Sequence, residues 1–289
     1  MSDAAVKETR RVLRQVQSHL TQSRLNLGAT CEMVGFVEVM HHAQNPLPQL
    51  NYVTPRKNTA WVSVKDVEQG LAALHQYNRQ QRVEYIDALF PEAFATNLLQ
   101  IGLEIERETP VLVYQPENPA KFPAMAMPDG VSMETVNSHE GSAMWWYVWR
   151  NAYYDVITQT AEPIFIGTSQ MQIAMGQQID LVMRRYGFPV GVARVSLFPE
   201  NATGHLTALA LMREVRTPEL LKLLQRYAVK SALNRGCSMV FTTGVTDDER
   251  QLSRENGFVD YGQVVCYAEK NDEHSDLNEF MAQPVLALN

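Results

Sequence analysis

Two arginines, a threonine and a proline stand within six residues of one another, directly after an apolar run, and that combination suits an anion. The run is Leu206-Thr207-Ala208-Leu209-Ala210-Leu211-Met212, short and bounded as a strand buried on both faces would be. Arg213-Glu214-Val215-Arg216-Thr217-Pro218 follows. Thr217 suits the N-cap of a helix and Pro218 its first position. A helix start turns unpaired N–H groups and a positive dipole end toward an anion. Arg213 and Arg216 add guanidinium groups, which hold phosphates through charge-assisted hydrogen bonds. The plainer reading of the same pair is two solvated arginines in an exposed turn.

Other side chains able to do chemistry are scattered. His205 opens the apolar run, and a histidine can exchange a proton near neutral pH; a lone histidine at a strand edge is more often structural. Trp145, Trp146 and Trp149 stand with Tyr147, Tyr153 and Tyr154 in the densest aromatic cluster. Such rings form either a platform for an apolar or cationic ligand or a helix face that packs the core. His41, His42 and His139 have no neighbours at metal-ligand spacing, nor do Cys31, Cys237 and Cys266, so no metal is expected.

The elements that must position these residues follow from periodicity. Leu220, Leu221, Leu224, Ala228 and Ala232 keep helical spacing from Thr217 down to Gly236, the usual stop residue. A buried strand over Ser238–Thr243, a short polar helix over Asp247–Glu255, the pair Gly257-Phe258 and a closing strand over Val264–Ala268 complete the region.

Strand, basic turn, helix, strand, short helix, Gly-Phe, strand: this order resembles the cofactor-binding half of the GNAT acyltransferases. There a strand leads into a turn of the type Arg/Gln-x-x-Gly-x-Gly/Ala, whose N–H groups hold the pyrophosphate of acetyl-CoA. Arg213 matches the leading position, while Arg216 and Pro218 fill the two glycine positions. The second family signature, Asn-x-x-Ala-x-x-Tyr before Gly-Phe, reads here as Asp247, Arg250 and Ser253. Serine thus stands where many members carry the tyrosine that protonates the departing thiolate, and Tyr261 and Tyr267 are the nearest substitutes. The resemblance implies that Ala210, Leu211 and Met212 pair with the pantetheine arm. It further implies that Arg213, Val215, Arg216, Thr217, Pro218, Asp247 and Arg250 lie along the cofactor. His205 with Ser253 or Tyr261 would then serve proton transfer, and Trp145, Trp146 and Trp149 would line the acceptor pocket.

The N-terminal half repeats the plan. After an amphipathic helix over residues 3–25 come strands over Met33–His42 and Leu50–Pro55, then a helix from Ser63. A strand over Val83–Phe90, a helix over Pro91–Gly102 and a strand over Glu104–Tyr114 follow. Beyond a Pro- and Met-rich connector the pattern gives a strand over Gly130–Asn137, helices over Ser142–Asp155 and Ser169–Tyr186, and a strand over Phe188–Leu197. The expected fold class is therefore α/β (α+β): two GNAT-like domains, each a mixed, mostly antiparallel sheet flanked by helices. The boundaries are a degenerate N-terminal domain over 1–115, a linker over 116–129 and an acyl-CoA-binding domain over 130–289.

Composition narrows the rest. The 289 residues are 45% hydrophobic and 20% charged, with a net charge of -7, so a nucleic-acid partner has no global electrostatic support. No apolar run approaches the ~18 residues of a membrane span, and the scattered cysteines suit reduced thiols in the cytoplasm. The resemblance implies an acetyl-CoA-dependent N-acyltransferase acting on a small-molecule amine, with acetyl-CoA or another acyl-CoA as donor; a homodimer is compatible with it. The competing reading is a GNAT-like binding or regulatory protein without the chemistry, which the filled glycine positions and the missing tyrosine favour.

Overall fold

The computed structural model describes residues 3–57, 59, 61–117, 122, 125–154, 161–244 and 246–269. The chain divides into two compact units, one running to Val111 and taking up the chain again at Tyr261, the other running from Leu112 to Asp260. Among the described residues seven α-helices flank mixed, mostly antiparallel sheets.

The first unit contains α1 (Asp3–Asn26), β1 (Thr30–Val34), β2 (Val37–His41), β3 (Tyr52–Pro55), α2 (Val64–Gln76), β4 (Arg82–Ile86), α3 (Glu92–Gln100) and the first nine residues of β5 (Leu103–Tyr114). Its sheet order is β1-β2-β3-β4-β11-β5, where β11 (Val259–Glu269) enters from the far end of the described chain. The segment expected as one strand over Met33–His42 is a hairpin. Gly35 turns it at φ +58°, a left-handed conformation that glycine adopts without steric cost. Val37, Val53, Leu71, Leu74, Val83, Val265 and Tyr267 are buried together between the sheet and α2.

The second unit contains β6 (Val131–Thr135), α4 (His139–Tyr154), α5 (Pro163–Ala174), β7 (Gln178–Arg185), β8 (Phe188–Phe198), β9 (Thr203–Leu211), α6 (Pro218–Asn234), β10 (Met239–Thr242) and α7 (Asp247–Glu255). Its order is β5-β10-β9-β8-β7-β6, with Leu112–Tyr114 of β5 paired to β10. The helix expected over Ser169–Tyr186 ends at Ala174, and Gly176 at φ +70° turns the chain into β7. β7 is buried on both faces over Gln178–Met183, including its polar residues Gln178 and Asp180.

Two layers cover this sheet. α6 lays Leu224, Ala228 and Ala232 against Leu181, Val195, Leu206, Leu211 and Val240. On the other face Trp145, Trp146 and Trp149 of α4 pack on Val182, Val192, Ala208 and Ala210.

Each repeat thus lacks the strand that would close it, and the other repeat supplies it. The strand expected to close the C-terminal region pairs antiparallel with β4, Val264 opposite Ile86 and Ala268 opposite Arg82. In return the end of β5, which follows the N-terminal repeat, pairs with β10. The division accordingly falls within β5 and within β11, not in the 116–129 connector, of which residues 118–121, 123 and 124 lie outside the described residues, as do Asp155 and everything beyond Glu269.

Candidate functional site

The parallel pair β9–β10 is the place where the second sheet opens. Its register runs Thr203 to Met239, Gly204 to Val240 and His205 to Phe241, and stops there. β9 continues to Leu211 with β8 as its one strand partner among the described residues. At the divergence β9 carries a bulge: Arg194 faces Ala208 and Val195 faces Leu206, so Thr207 is the extra residue. The faces change over at that point, Leu206 packing on the α6 side and Ala208 on the α4 side. A bulge bends its strand and re-aims the groups beyond it.

Past the bulge, backbone direction follows from one bond. Met212 N–H donates to Val190 O at 2.8 Å, toward β8. Antiparallel alternation then turns the main chain of Ala210 toward β8 as well, and that of Leu209 and Leu211 toward the open side. Of the three residues expected to pair with a pantetheine arm, Ala210 and Met212 are engaged with β8 and Leu211 alone faces the opening. Leu209 was missed, because its orientation depends on the bulge.

The turn at the end of β9 is a short 3-10 helix over Arg213–Val215, in which Val215 N–H donates to Met212 O and Arg216 N–H to Arg213 O. Thr217 caps α6, its Oγ1 accepting from Leu220 N–H at 3.3 Å, and Pro218 has no N–H to offer. Glu219 puts a carboxylate in the first turn. The helix start is therefore largely satisfied and faces an acid.

Arg213 is exposed in the turn. Arg216 is exposed as well, but its guanidinium is engaged: Nε donates to Leu211 O at 3.2 Å and Nη2 to Ala152 O of α4 at 2.6 Å. Across the opening, α7 begins with a capping box between Thr246 and Glu249. Asp247 is exposed, and Arg250 stands 3.6 Å from it and 3.7 Å from Asp260, with a buried Nε that has no hydrogen-bond partner.

The expected proton-transfer residues separate. His205 is buried, stacked on Phe241 at 4.3 Å, with Nε2 3.5 Å from Thr243 Oγ1 at the point of divergence. Ser253 is turned into the α6–α7 packing, where Gln225 Nε2 donates to its Oγ at 2.9 Å and Asn256 holds Gln225. That contact takes it away from the opening. Tyr261 belongs to the first unit, as does Tyr267, which is buried against Tyr85.

The three tryptophans are all in the core, at 0, 2 and 4% exposure, so they do not line an open pocket. Trp145 Nε1 donates to Ala193 O and Trp146 Nε1 to Ser169 Oγ, each at 3.0 Å. Beneath them lies a charge pair that sequence reading did not find. Arg194 donates to both oxygens of Asp180, at 2.7 and 2.8 Å, and to Ser169 at 2.9 Å, with its guanidinium 3.9 Å from the Trp145 ring centre. Only the sheet register, which sets Asp180 opposite Arg194, brings the two together.

The corresponding helix start in the first unit offers an anion nothing. Ser63 caps α2 by accepting from Asp66 N–H, and the Asp66 carboxylate folds back to Phe36 N–H. Hydrogen bonding to Ser63 holds that carboxyl below its ordinary range, with the Phe36 amide adding to the effect.

No protein-family model and no curated protein matches the chain. Among solved structures it is similar to a GCN5-related N-acetyltransferase from Kribbella flavida, with a TM-score of 0.71 at 16% identity over 92% of this chain and 98% of that one. The chain has the GNAT fold. A GCN5-related N-acetyltransferase from Sphaerobacter thermophilus aligns with a TM-score of 0.59 at 13% identity, over 80% of this chain and 76% of that one. A tandem GNAT protein from the clavulanic acid biosynthesis pathway gives 0.58 at 13% identity, over 80% and 77%. The strand divergence and bulge described above lie in the C-terminal repeat of this chain. Among the described residues no group of three or more His, Cys, Asp or Glu is placed to hold a metal, and no helix is long and apolar enough to cross a membrane.

Proposed function

We propose that the C-terminal repeat is the site of an acyl-CoA-dependent N-acyltransferase that acts on the amine of a small molecule. One observation carries this reading: β9 leaves β10 at His205 and runs on to Leu211 with one edge open, beside a bulge at Thr207. An extended, amide-containing arm can pair with the main chain of Leu209 there as an added strand would. The fit is uneven. The open edge suits such an arm, but the capped and acid-faced start of α6 offers a diphosphate few N–H groups, which leaves the work to Arg213 and Arg250. The buried, unpartnered Nε of Arg250 is the kind of donor an anion would satisfy.

The acyl-CoA supplies the thioester. The chain orients it along β9, and His205, relayed through the Thr243 hydroxyl, takes the proton of the attacking amine. Ser253 has no part in this account, so the thiolate takes its proton from water. A second reading, a binding protein without chemistry, draws on the Thr217 cap, Pro218 and the sequestered Ser253.

Thermal-shift titration with acetyl-CoA beside free CoA tests the reading. At ~100 times the dissociation constant, binding stabilises the fold by ~2.7 kcal/mol, a rise of a few degrees at this size. The rise should shrink in an Arg213→Ala/Arg250→Ala variant. Absence of any shift at millimolar acetyl-CoA would sink the enzyme.

A further inference from the structure

Arg216 joins three elements at the end of the open edge. Its Nε reaches Leu211 O, one of the two outward-facing carbonyls of β9 beyond the bulge, and its Nη2 reaches Ala152 O in the last turn of α4. Both acceptors suit a cation. Leu211 O has no strand beside it among the described residues, and a carbonyl oxygen such as Ala152 O has two lone pairs with which to accept from a guanidinium. A bound arm that continued from Leu209 past Leu211 toward the start of α6 would meet this guanidinium first. The two cannot share Leu211 O along the strand edge.

We infer that Arg216 is a latch rather than a phosphate clamp: it closes the end of the open β9 edge in the ligand-free protein, and acyl-CoA displaces it. The inference rests on the acyl-CoA reading of that edge. Displacement frees Leu211 O and at the same moment removes the guanidinium from Ala152 O, so occupancy of the strand edge loosens the Asn151–Tyr154 segment of α4, on the other face of the sheet from α6. A closed latch also lowers the apparent affinity by the fraction of molecules that stand open. Charge-assisted bonds to two carbonyls are strong enough to make that fraction roughly a tenth or less.

The experiment is calorimetric titration of acetyl-CoA into the full chain, as wild type, Arg216→Ala and Arg216→Lys, together with hydrogen exchange of the wild type. The latch predicts that Arg216→Ala binds about tenfold more tightly, with Arg216→Lys between the two. It also predicts that acetyl-CoA slows exchange at Leu209–Leu211 of the wild type and speeds it at Asn151–Tyr154. Weaker binding by Arg216→Ala would overturn the latch and return Arg216 to a phosphate clamp while the acyl-CoA reading stands. Equal binding with unchanged exchange at the end of α4 would likewise overturn it. Absence of binding by all three proteins would overturn both, since removal of the latch should expose a site if one exists. Should Arg216→Ala not fold, the wild-type exchange decides alone.

Discussion

With the carboxylate of Asp180 removed, Arg194 would hold a positive charge at 2% exposure against two indole rings. Breaking one side of a buried pair costs ~3–5 kcal/mol, because the remaining charge is desolvated without compensation. Asp180→Ala should therefore lower the urea midpoint severely. An Asp180→Leu/Arg194→Met double variant should recover most of the loss, since apolar replacement of a whole buried pair is often neutral. If the double variant is no better than the single one, the pair is needed for more than mutual neutralisation. At this scale the sequence discloses what is local. Thr217 and Pro218 read as a helix start because a cap involves residues two or three apart. Arg216 reads as a free phosphate ligand because its partner, Ala152, lies 64 residues away. Ser253 likewise depends on Gln225, 28 residues before it.

Gly70 decides how α2 meets its sheet. Glycine inside a helix costs ~1 kcal/mol relative to alanine, so propensity alone would favour Gly70→Ala. A Cβ there, however, would stand 2.8 Å from Val37 Cγ2 and 2.9 Å from Val53 Cγ1, both on fully buried, stiff side chains. Overpacking of that kind costs ~1–3 kcal/mol and outweighs the propensity. Gly70→Ala should thus lower stability in chemical denaturation, and Gly70→Leu should prevent the first unit from folding; a stabilised Gly70→Ala would show that the helix can lift off the strands. Elements with a clear period or cap were legible: α2, α6 and α7 lie within a residue or two of their expected bounds. β7 was not: Gln178-Ile179-Asp180-Leu181 alternates polar and apolar as a strand does, but the expected helix runs through Gly176 into it. The bulge at Thr207 coincides with a break in the alternation, Leu206 and Leu209 standing three apart and Leu209 and Leu211 two apart, but in so short an apolar run such a break does not separate a bulge from a buried helix.

At the scale of the molecule, β11 belongs to the first unit although nearly the whole of the second precedes it in the chain. A chain ended after Asp260 would leave β4 without its antiparallel neighbour and remove Val265 and Tyr267 from the core around α2. Hydrogen exchange on that truncated protein should show β3, β4 and α2 unprotected while β7, β8 and β9 stay protected. Equal protection in both units would mean that β11 is dispensable. The mixed α/β fold class was legible, because each repeat carries its own strand and helix periods. The exchange of closing strands was not, because strand pairing is set by contacts far apart in sequence and a closing strand looks the same whichever sheet receives it.

That reciprocity bears on inheritance. A repeat whose helix start is capped by Ser63 and faced by Asp66 offers an anion little at that position, and if it served no ligand elsewhere it could be shed on functional grounds. Yet deleting the N-terminal repeat together with β5 would take Leu112–Tyr114 from beside β10, at the margin of the proposed site. Selection acting on the C-terminal repeat alone would therefore retain both. Two domains that lend each other a strand are lost together or kept together, and a silent half can persist as the scaffold of a working one.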